Sequence, residues 1–258
     1  MSDLFDVSGK TALVTGGSRG IGLMIARGLV EAGARVIVSS RKSADVQAAA
    51  AELAALGDCE AIPGDISTRD GALALAAATQ ERFPSLDILV NNAGAVWGAP
   101  LEEFPQDGWD KVIHTNVEGI FHLTVALLPA LRESAAAEDP ARVINIGSID
   151  GIRVPSTENY SYSASKAAVH MLTRHLAKRL ASEQITVNAI APGPFESKMM
   201  AWALDDPQLR QGIEDEVPLG RIGRPDDAAG LTLFLASRAG AYLTGTVIPL
   251  DGGITGCN

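Results

Sequence analysis

Cysteine is scarce in this sequence: Cys59 and Cys257 are the only two among 258 residues. Two thiols cannot build a disulfide framework, which excludes a small secreted scaffold and fits a reducing cytosol. Basic residues are outnumbered, 21 Lys and Arg against 31 Asp and Glu, for a formal charge of −10. That balance argues against nucleic acid as a partner. No stretch approaches the roughly 18 uninterrupted apolar residues of a membrane span. The opening MSDLFDVSGK has neither a basic nor an apolar signal region, so no secretory signal is expected and a cytoplasmic location is. The four histidines, His114, His122, His170 and His175, form no i, i+4 pair, and no Cys–His cluster exists, so no metal is expected. Linkers, long charge blocks and internal repeats are missing too. A hydrophobic content of 47% excludes a disordered chain. At roughly 100–200 residues per domain, these absences favour one domain over residues 1–258.

What is present is alternation. Short apolar runs read as strands at Thr11–Thr15, Arg35–Ser39, Glu60–Pro63, Ile88–Asn91, Arg142–Gly147, Thr186–Ile190 and Val247–Leu250. Helical patterns fill the intervals: from the 16–22 glycines to Ala32, Ser43–Leu56, Arg69–Phe83, Trp109–Arg132, Tyr162–Ala181 and Asp226–Leu235. Gly33 stands where a C′ glycine would stop the first helix. Strands this apolar are expected when helices cover both faces of a parallel sheet. The predicted fold class is therefore α/β, a doubly wound, mostly parallel Rossmann-type sheet.

Thr15-Gly16-x-x-x-Gly20-x-Gly22 falls between the first strand and the first helix. Gly16 permits a tight turn, Gly20 lets backbone approach a pyrophosphate, and Gly22 allows close packing. The helix N-terminus then faces the phosphates with free N–H groups. Ser18, Arg19 and Ile21 lie within this turn. A carboxylate at the end of the second strand would mark NAD, but Ser39-Ser40-Arg41-Lys42 stands there. Arg41 and Arg19 are placed to clamp a 2′-phosphate, so NADP(H) is the expected cofactor.

Tyr162 and Lys166 lie four apart at the start of a long helical pattern, hence on one helix face. An ammonium beside the phenol is expected to lower the phenol pKa and make it a proton donor and acceptor. Tyr160 has Ala164 at the same offset, so only Tyr162 qualifies. Ser148 follows the apolar run 143–147, at a strand end. Asn159-Tyr-Ser161 matches a glycosylation pattern, read here as chance.

Together these residues resemble the short-chain dehydrogenase/reductase family in its one-domain form. The resemblance spans the 15–22 turn, Asp65-Ile66, Asn91-Asn92-Ala93-Gly94, Asn116, Ser148, Tyr162/Lys166, Pro192-Gly193, Arg221/Gly223/Pro225 and Asp251-Gly-Gly253. It implies that Tyr162 protonates a carbonyl oxygen as hydride arrives from the nicotinamide, while Ser148 polarises that oxygen. It implies that Lys166 holds the nicotinamide ribose and that Asn116 positions a relay water. Asn91 is placed by it beside the ribose, with Asn92, Ala93 and Gly94 in the same loop, and Asp65 beside the adenine with Ile66. Pro192, Gly193, Phe195 and Ser197 would lie over the nicotinamide. Ser197 departs from the Thr of many relatives, and Ser148 and Tyr162 are one residue further apart than usual. A homotetramer is implied as well.

Residues 191–219 form a long excursion, the expected place for a substrate lid. It carries Met199, Met200 and Trp202, and Trp97 lies just past the Asn91–Gly94 loop. Such side chains suit an apolar ligand such as an acyl chain. Within the family the chain is most similar to 3-oxoacyl thioester reductases, the rhamnolipid-linked type above all, which implies a coenzyme A or acyl-carrier-protein thioester. Arg132, Lys178 and Arg179 could receive an acidic carrier, although Glu183 stands where such reductases tend to be basic. An alcohol dehydrogenase acting on sugars, polyols or ring alcohols, and a non-catalytic NADP-sensing protein, are the competing readings.

Overall fold

The computed structural model describes residues 4–196, 200 and 205–257. Seven strands form one sheet in the order β3-β2-β1-β4-β5-β6-β7, every neighbouring pair parallel. They are β1 (Thr11–Thr15), β2 (Arg35–Ser40), β3 (Cys59–Pro63), β4 (Ile88–Asn91), β5 (Ala141–Ile146), β6 (Ile185–Pro192) and β7 (Val247–Leu250). Among the described residues the helices are α1 (Gly20–Glu31), α2 (Ser43–Ala54), α3 (Arg69–Arg82), α4 (Gln106–Ile113), α5 (Gly119–Ser134), α6 (Tyr160–Leu180), α7 (Pro207–Glu216) and α8 (Pro225–Ala236).

Alternate strand residues feed two cores. Val14, Val36, Val38, Val90 and Ile144 face one side with Ile25 and Leu29 of α1, Leu53 of α2 and Leu235 of α8. Leu13, Ile37, Leu89, Val143 and Val187 face the other with Leu75 of α3, Leu123 and Leu127 of α5 and Leu180 of α6. The period-2 switch of side within each strand is what allows both faces to be covered. The helix ends follow local rules. Gly33 adopts φ +85° and its N–H reaches the Val30 carbonyl at 2.9 Å, closing α1. The Thr68 hydroxyl accepts from the Gly71 N–H at 3.1 Å, opening α3.

Two elements differ from the sequence expectation. The single helix expected over Trp109–Arg132 is α4 and α5 joined by a π-helical turn, His114–Glu118. The buried Asn116 side chain sits in that turn and bonds across to Ala95, a long-range contact that periodicity does not encode. Helix α7 lies inside the 191–219 stretch, where no helix was predicted. Its sequence, PQLRQGIEDE, buries no residue and so shows no apolar stripe, but Asp206 caps it and Pro207 opens it. No helix among the described residues is long and apolar enough to cross a membrane.

Candidate active site

Parallel strands bring all their carboxyl ends to one edge, and the strand order reverses at β1 and β4. Such a switch point leaves a crevice for a ligand. Thr15 ends β1 there. Its hydroxyl accepts from the Asn92 and Ala93 N–H groups, each at 3.0 Å, and donates to the Val90 carbonyl at 3.3 Å. The Asn92 amide returns to the Thr15 and Gly16 carbonyls at 2.9 and 3.2 Å. The loops after β1 and β4 are thereby one wall.

Gly16 and Gly20 adopt φ +65° and +53°, a backbone region that L side chains avoid. A Cβ on Gly22 would run into the Asn92 amide and the Gly16 carbonyl. Its bareness serves contact between α1 and the two loops rather than contact with the sheet. Helix α1 has no acidic side chain in its first turn and no side-chain cap, so its N-terminal N–H groups face the crevice with no carboxylate among them. Ser18 and Ile21 are half-buried along the turn, and Arg19 is exposed.

At the end of β2 the Ser40 hydroxyl is buried without a partner among the described residues, and Arg41 is exposed next to it. Arg27, Arg35 and Arg132 each hold a carboxylate, whereas Arg19 and Arg41 form no ion pair among the described residues. Two uncompensated guanidinium groups beside a carboxylate-free strand end fit a cofactor carrying a 2′-phosphate. Asp65 is exposed and accepts from the Ser67 N–H at 3.0 Å, while Ile66 is buried with its carbonyl against Gly119.

The catalytic-type residues gather on the far side of the crevice. Ser148 follows β5 and is 7% exposed, and its hydroxyl lies close enough to the Tyr162 phenol to oppose the rise of the phenol's pKa. Lys166 is buried and lies one turn along α6, its Nζ 5.5 Å from the centre of the Tyr162 ring. Nζ donates to the Ile146 carbonyl at 2.8 Å. A Cβ on Gly94 would stand 3.4 Å from Asn116 Oδ1 and 3.9 Å from Lys166 Nζ, which puts the Asn91–Gly94 loop directly beside the ammonium.

The charges differ from expectation. Burial pushes the Tyr162 phenol up to about 12, opposed by the Ser148 hydrogen bond and assisted by Asp150. Burial likewise brings Lys166 down to about 8, with Asp150 pulling the other way. The expected lowering of the phenol by Lys166 is absent because the ammonium is turned to the Ile146 carbonyl and desolvation of the phenol prevails.

Three other residues take places unlike those implied by the resemblance. Asn91 is fully buried, donating to Thr124 Oγ1 at 3.1 Å and Asn145 Oδ1 at 2.9 Å, so its side chain braces β4 to β5 and α5 instead of meeting a ribose. Asn116 exchanges both amide contacts with the Ala95 backbone, at 2.7 and 2.9 Å, and donates to Ser165 Oγ at 2.9 Å. Its side chain holds the Gly94–Ala95 loop. Phe195 is 3% exposed with its ring filling the space that Gly223 leaves, so the ring packs into the core.

Pro192 ends β6, and the Gly193 N–H reaches the Leu250 carbonyl at 3.0 Å, fixing that backbone beside β7. Of the proposed substrate residues, Met200 is half-buried, and Trp97 packs on α4 with Lys111 Nζ 5.1 Å from its ring. Ser197, Met199 and Trp202 lie outside the described residues. The sequence reading overlooked Thr15 as the tie between the loops, along with Asp150 and Asn159, although both flank the Ser148–Tyr162 motif.

Comparison with known proteins gives a consistent picture. A family model described as enoyl-(acyl carrier protein) reductase matches residues 16–255. A rhamnolipids biosynthesis 3-oxoacyl-[acyl-carrier-protein] reductase of Pseudomonas aeruginosa is 53% identical over 253 residues, 98% of this chain and 99% of that one. Gluconate 5-dehydrogenase of Gluconobacter oxydans is 34% identical over 254 residues, 98% of this chain and 97% of that one. The Pseudomonas aeruginosa RhlG/NADP active-site complex superposes with a TM-score of 0.96 at 52% identity, covering 99% of this chain and 100% of that one. With its Rossmann-type sheet and nearly full-length matches, the chain belongs to the short-chain dehydrogenase/reductase family of oxidoreductases.

Proposed function

We propose that the chain is an NADPH-dependent reductase that converts the 3-keto group of a 3-oxoacyl thioester to a hydroxyl. The observation that carries the reading is the grouping of Ser148, Tyr162 and Lys166, with the Ser148 hydroxyl bearing on the phenol and Lys166 Nζ 5.5 Å from its ring, at the same sheet edge as the glycine turn. The NADP-bound relative supports the choice of cofactor.

Gly16, Ser18, Arg19, Gly20, Ile21 and Gly22 would hold the diphosphate, Arg19 and Arg41 the 2′-phosphate, and Asp65 and Ile66 the adenine. Asn92, Ala93, Gly94 and Lys166 would hold the nicotinamide ribose, and the backbone of Pro192 and Gly193 the ring. NADPH, when bound, supplies the hydride. Tyr162 gives its proton to the carbonyl oxygen, and with its pKa held near 12 it arrives protonated, as an acid must. Ser148 donates a hydrogen bond to the same oxygen and stabilises the charge that develops there. The Lys166 ammonium offsets the charge left on the phenolate. A relay past Asn116 runs along its backbone, since its side chain is fully engaged.

The substrate class follows the 53% identical relative in preference to the gluconate 5-dehydrogenase at 34%. Ile152 and Val154 are 47% and 92% exposed on the loop between Ser148 and α6, an apolar rim for an acyl chain. Coenzyme A and acyl-carrier-protein thioesters share the reacting group. Glu183 holds Arg132 at 2.7 Å and Arg179 at 2.5 Å, which weighs against a free basic patch for an acidic carrier there. A cytoplasmic homotetramer completes the proposal, supported by the exposed Phe121, Val125 and Met171 on α5 and α6. In the Tyr162→Phe variant, turnover falls by about 10²–10⁴-fold while NADPH affinity stays unchanged. Stopped-flow rates with a fluorescence titration check both, and near-full activity would overturn Tyr162 as the acid.

A further inference from the structure

One carboxyl group lies inside this site and has no part in the chemistry above. Asp150 belongs to the single 3₁₀ turn Ile149–Gly151 that follows Ser148. The turn rests on α6: a Cβ on Gly151 would come 2.7 Å from backbone atoms of both Lys166 and Ala167. The Asp150 N–H donates to Ser148 Oγ at 3.1 Å, and Asn159 Nδ2 donates to Asp150 Oδ2 at 3.2 Å. Asn159 is 8% exposed and is itself fixed to α6, accepting from Ser163 Oγ on its side chain at 3.0 Å and from the Tyr162 N–H on its carbonyl at 2.9 Å. The Asp150–Asn159 contact thus pins together the two ends of the exposed loop that separates Ser148 from Tyr162.

The surroundings of Asp150 are unevenly charged. Lys166 faces it from α6, with Tyr162 and His170 one turn to either side of Lys166 on that helix. Burial and Lys166 bring His170 down to about 4, so it is neutral at working pH. In its own loop Asp150 faces Arg153, which is drawn to Glu216 of α7 at 4.0 Å. Burial raises the carboxyl's own pKa, while Asn159, Arg153 and Lys166 oppose the rise. Asp150 opposes the effect of burial on Lys166, favouring the ammonium.

We propose that Asp150 is a positioning residue for proton transfer: its carboxylate, clamped by Asn159 and the Ser148 turn against α6, maintains the charge state of the Tyr162–Lys166 pair and so sets the alkaline edge of the pH range for carbonyl reduction. The proposal rests on Tyr162 as the acid. A negative charge at this place favours both the protonated phenol and the ammonium, and so counters the burial that strips the proton from Lys166.

Two variants separate charge from shape. Asp150→Asn keeps the shape and the contact with Asn159 but loses the charge, and Asp150→Glu keeps the charge. Initial rates of NADPH oxidation with 3-oxobutanoyl coenzyme A are followed across the neutral and alkaline range. The falling limb of the Asn variant is expected about one pH unit below that of the unaltered protein, with the Glu variant close to the latter. Coincident Asn and unaltered limbs, or equal displacement in both variants, would overturn the proposal. If the unaltered protein does not turn over this thioester, it is the substrate reading that fails. The same comparison is then made on NADPH affinity by fluorescence, which weakens as Lys166 loses its charge. A displaced limb in Asp150→Asn supports the proposal there too, and an unmoved one overturns it.

Discussion

At the scale of single residues, desolvation outweighs the neighbouring charge at both Tyr162 and Lys166. The phenol is held protonated up to about 12, His170 is neutral above about 4, and of these three groups Lys166, near 8, is the one that titrates between them. Lys166 carries its charge below that value and loses it above. The rate of NADPH-driven reduction is therefore expected to be level below neutrality and to fall with an apparent pKa near 8. A kcat profile that stays flat well into the alkaline range would contradict this. At the other end of the crevice, Arg41 faces solvent with no acidic partner among the described residues. Replacing a charge-assisted contact to phosphate removes about 1.5–3 kcal/mol, so Arg41→Ala should weaken NADPH binding roughly ten- to a hundredfold and leave NADH nearly unchanged. Parallel titrations with the two nucleotides decide it. Residue identity in the glycine turn and the Tyr162/Lys166 pair was legible from spacing alone. The phenol's raised pKa was not, because the amount of water excluded from a side chain depends on what packs around it.

At the scale of elements, helix α1 joins the crevice through Gly22, where a Cβ would strike both the Asn92 amide and the Gly16 carbonyl. Neither neighbour is free to move, since Asn92 is tied to Thr15 and Gly16 at 2.9 and 3.2 Å. Gly22→Ala is thus expected to destabilise the protein by about 1–3 kcal/mol and to weaken NADPH binding, read by urea unfolding and by fluorescence titration. Unchanged stability would show that the loops yield more easily than their hydrogen bonds suggest. Strands β1 and β4 matched their apolar runs residue for residue, because both-face burial leaves an unbroken signature in sequence, and the half-buried edge strand β7 matched its run as well. The π-turn at Asn116 and the polar helix α7 did not. One is imposed by a partner 21 positions away, and the other is held by a cap where no apolar stripe exists. Asn159 makes the same point: its Asn-Tyr-Ser context carried no usable signal, yet its amide spans the loop to Asp150.

At the scale of the whole molecule, the formal charge of −10 and the neutralised Arg132–Glu183–Arg179 cluster favour a substrate whose recognition depends on the acyl portion. The parallel sheet supplies the frame, for it carries the glycine turn, the Asn91–Gly94 loop, Ser148 and Pro192 to one edge from four different strands. The central claim is that this edge performs NADPH-dependent reduction of a 3-keto thioester. Its most direct test is the initial rate of NADPH oxidation with 3-oxoacyl coenzyme A thioesters of increasing chain length, with NADH in place of NADPH as the control. Turnover is expected to rise with chain length and to be strongly reduced with NADH. Equal rates with either nucleotide, or no turnover of any chain length beside tight NADPH binding, would contradict it.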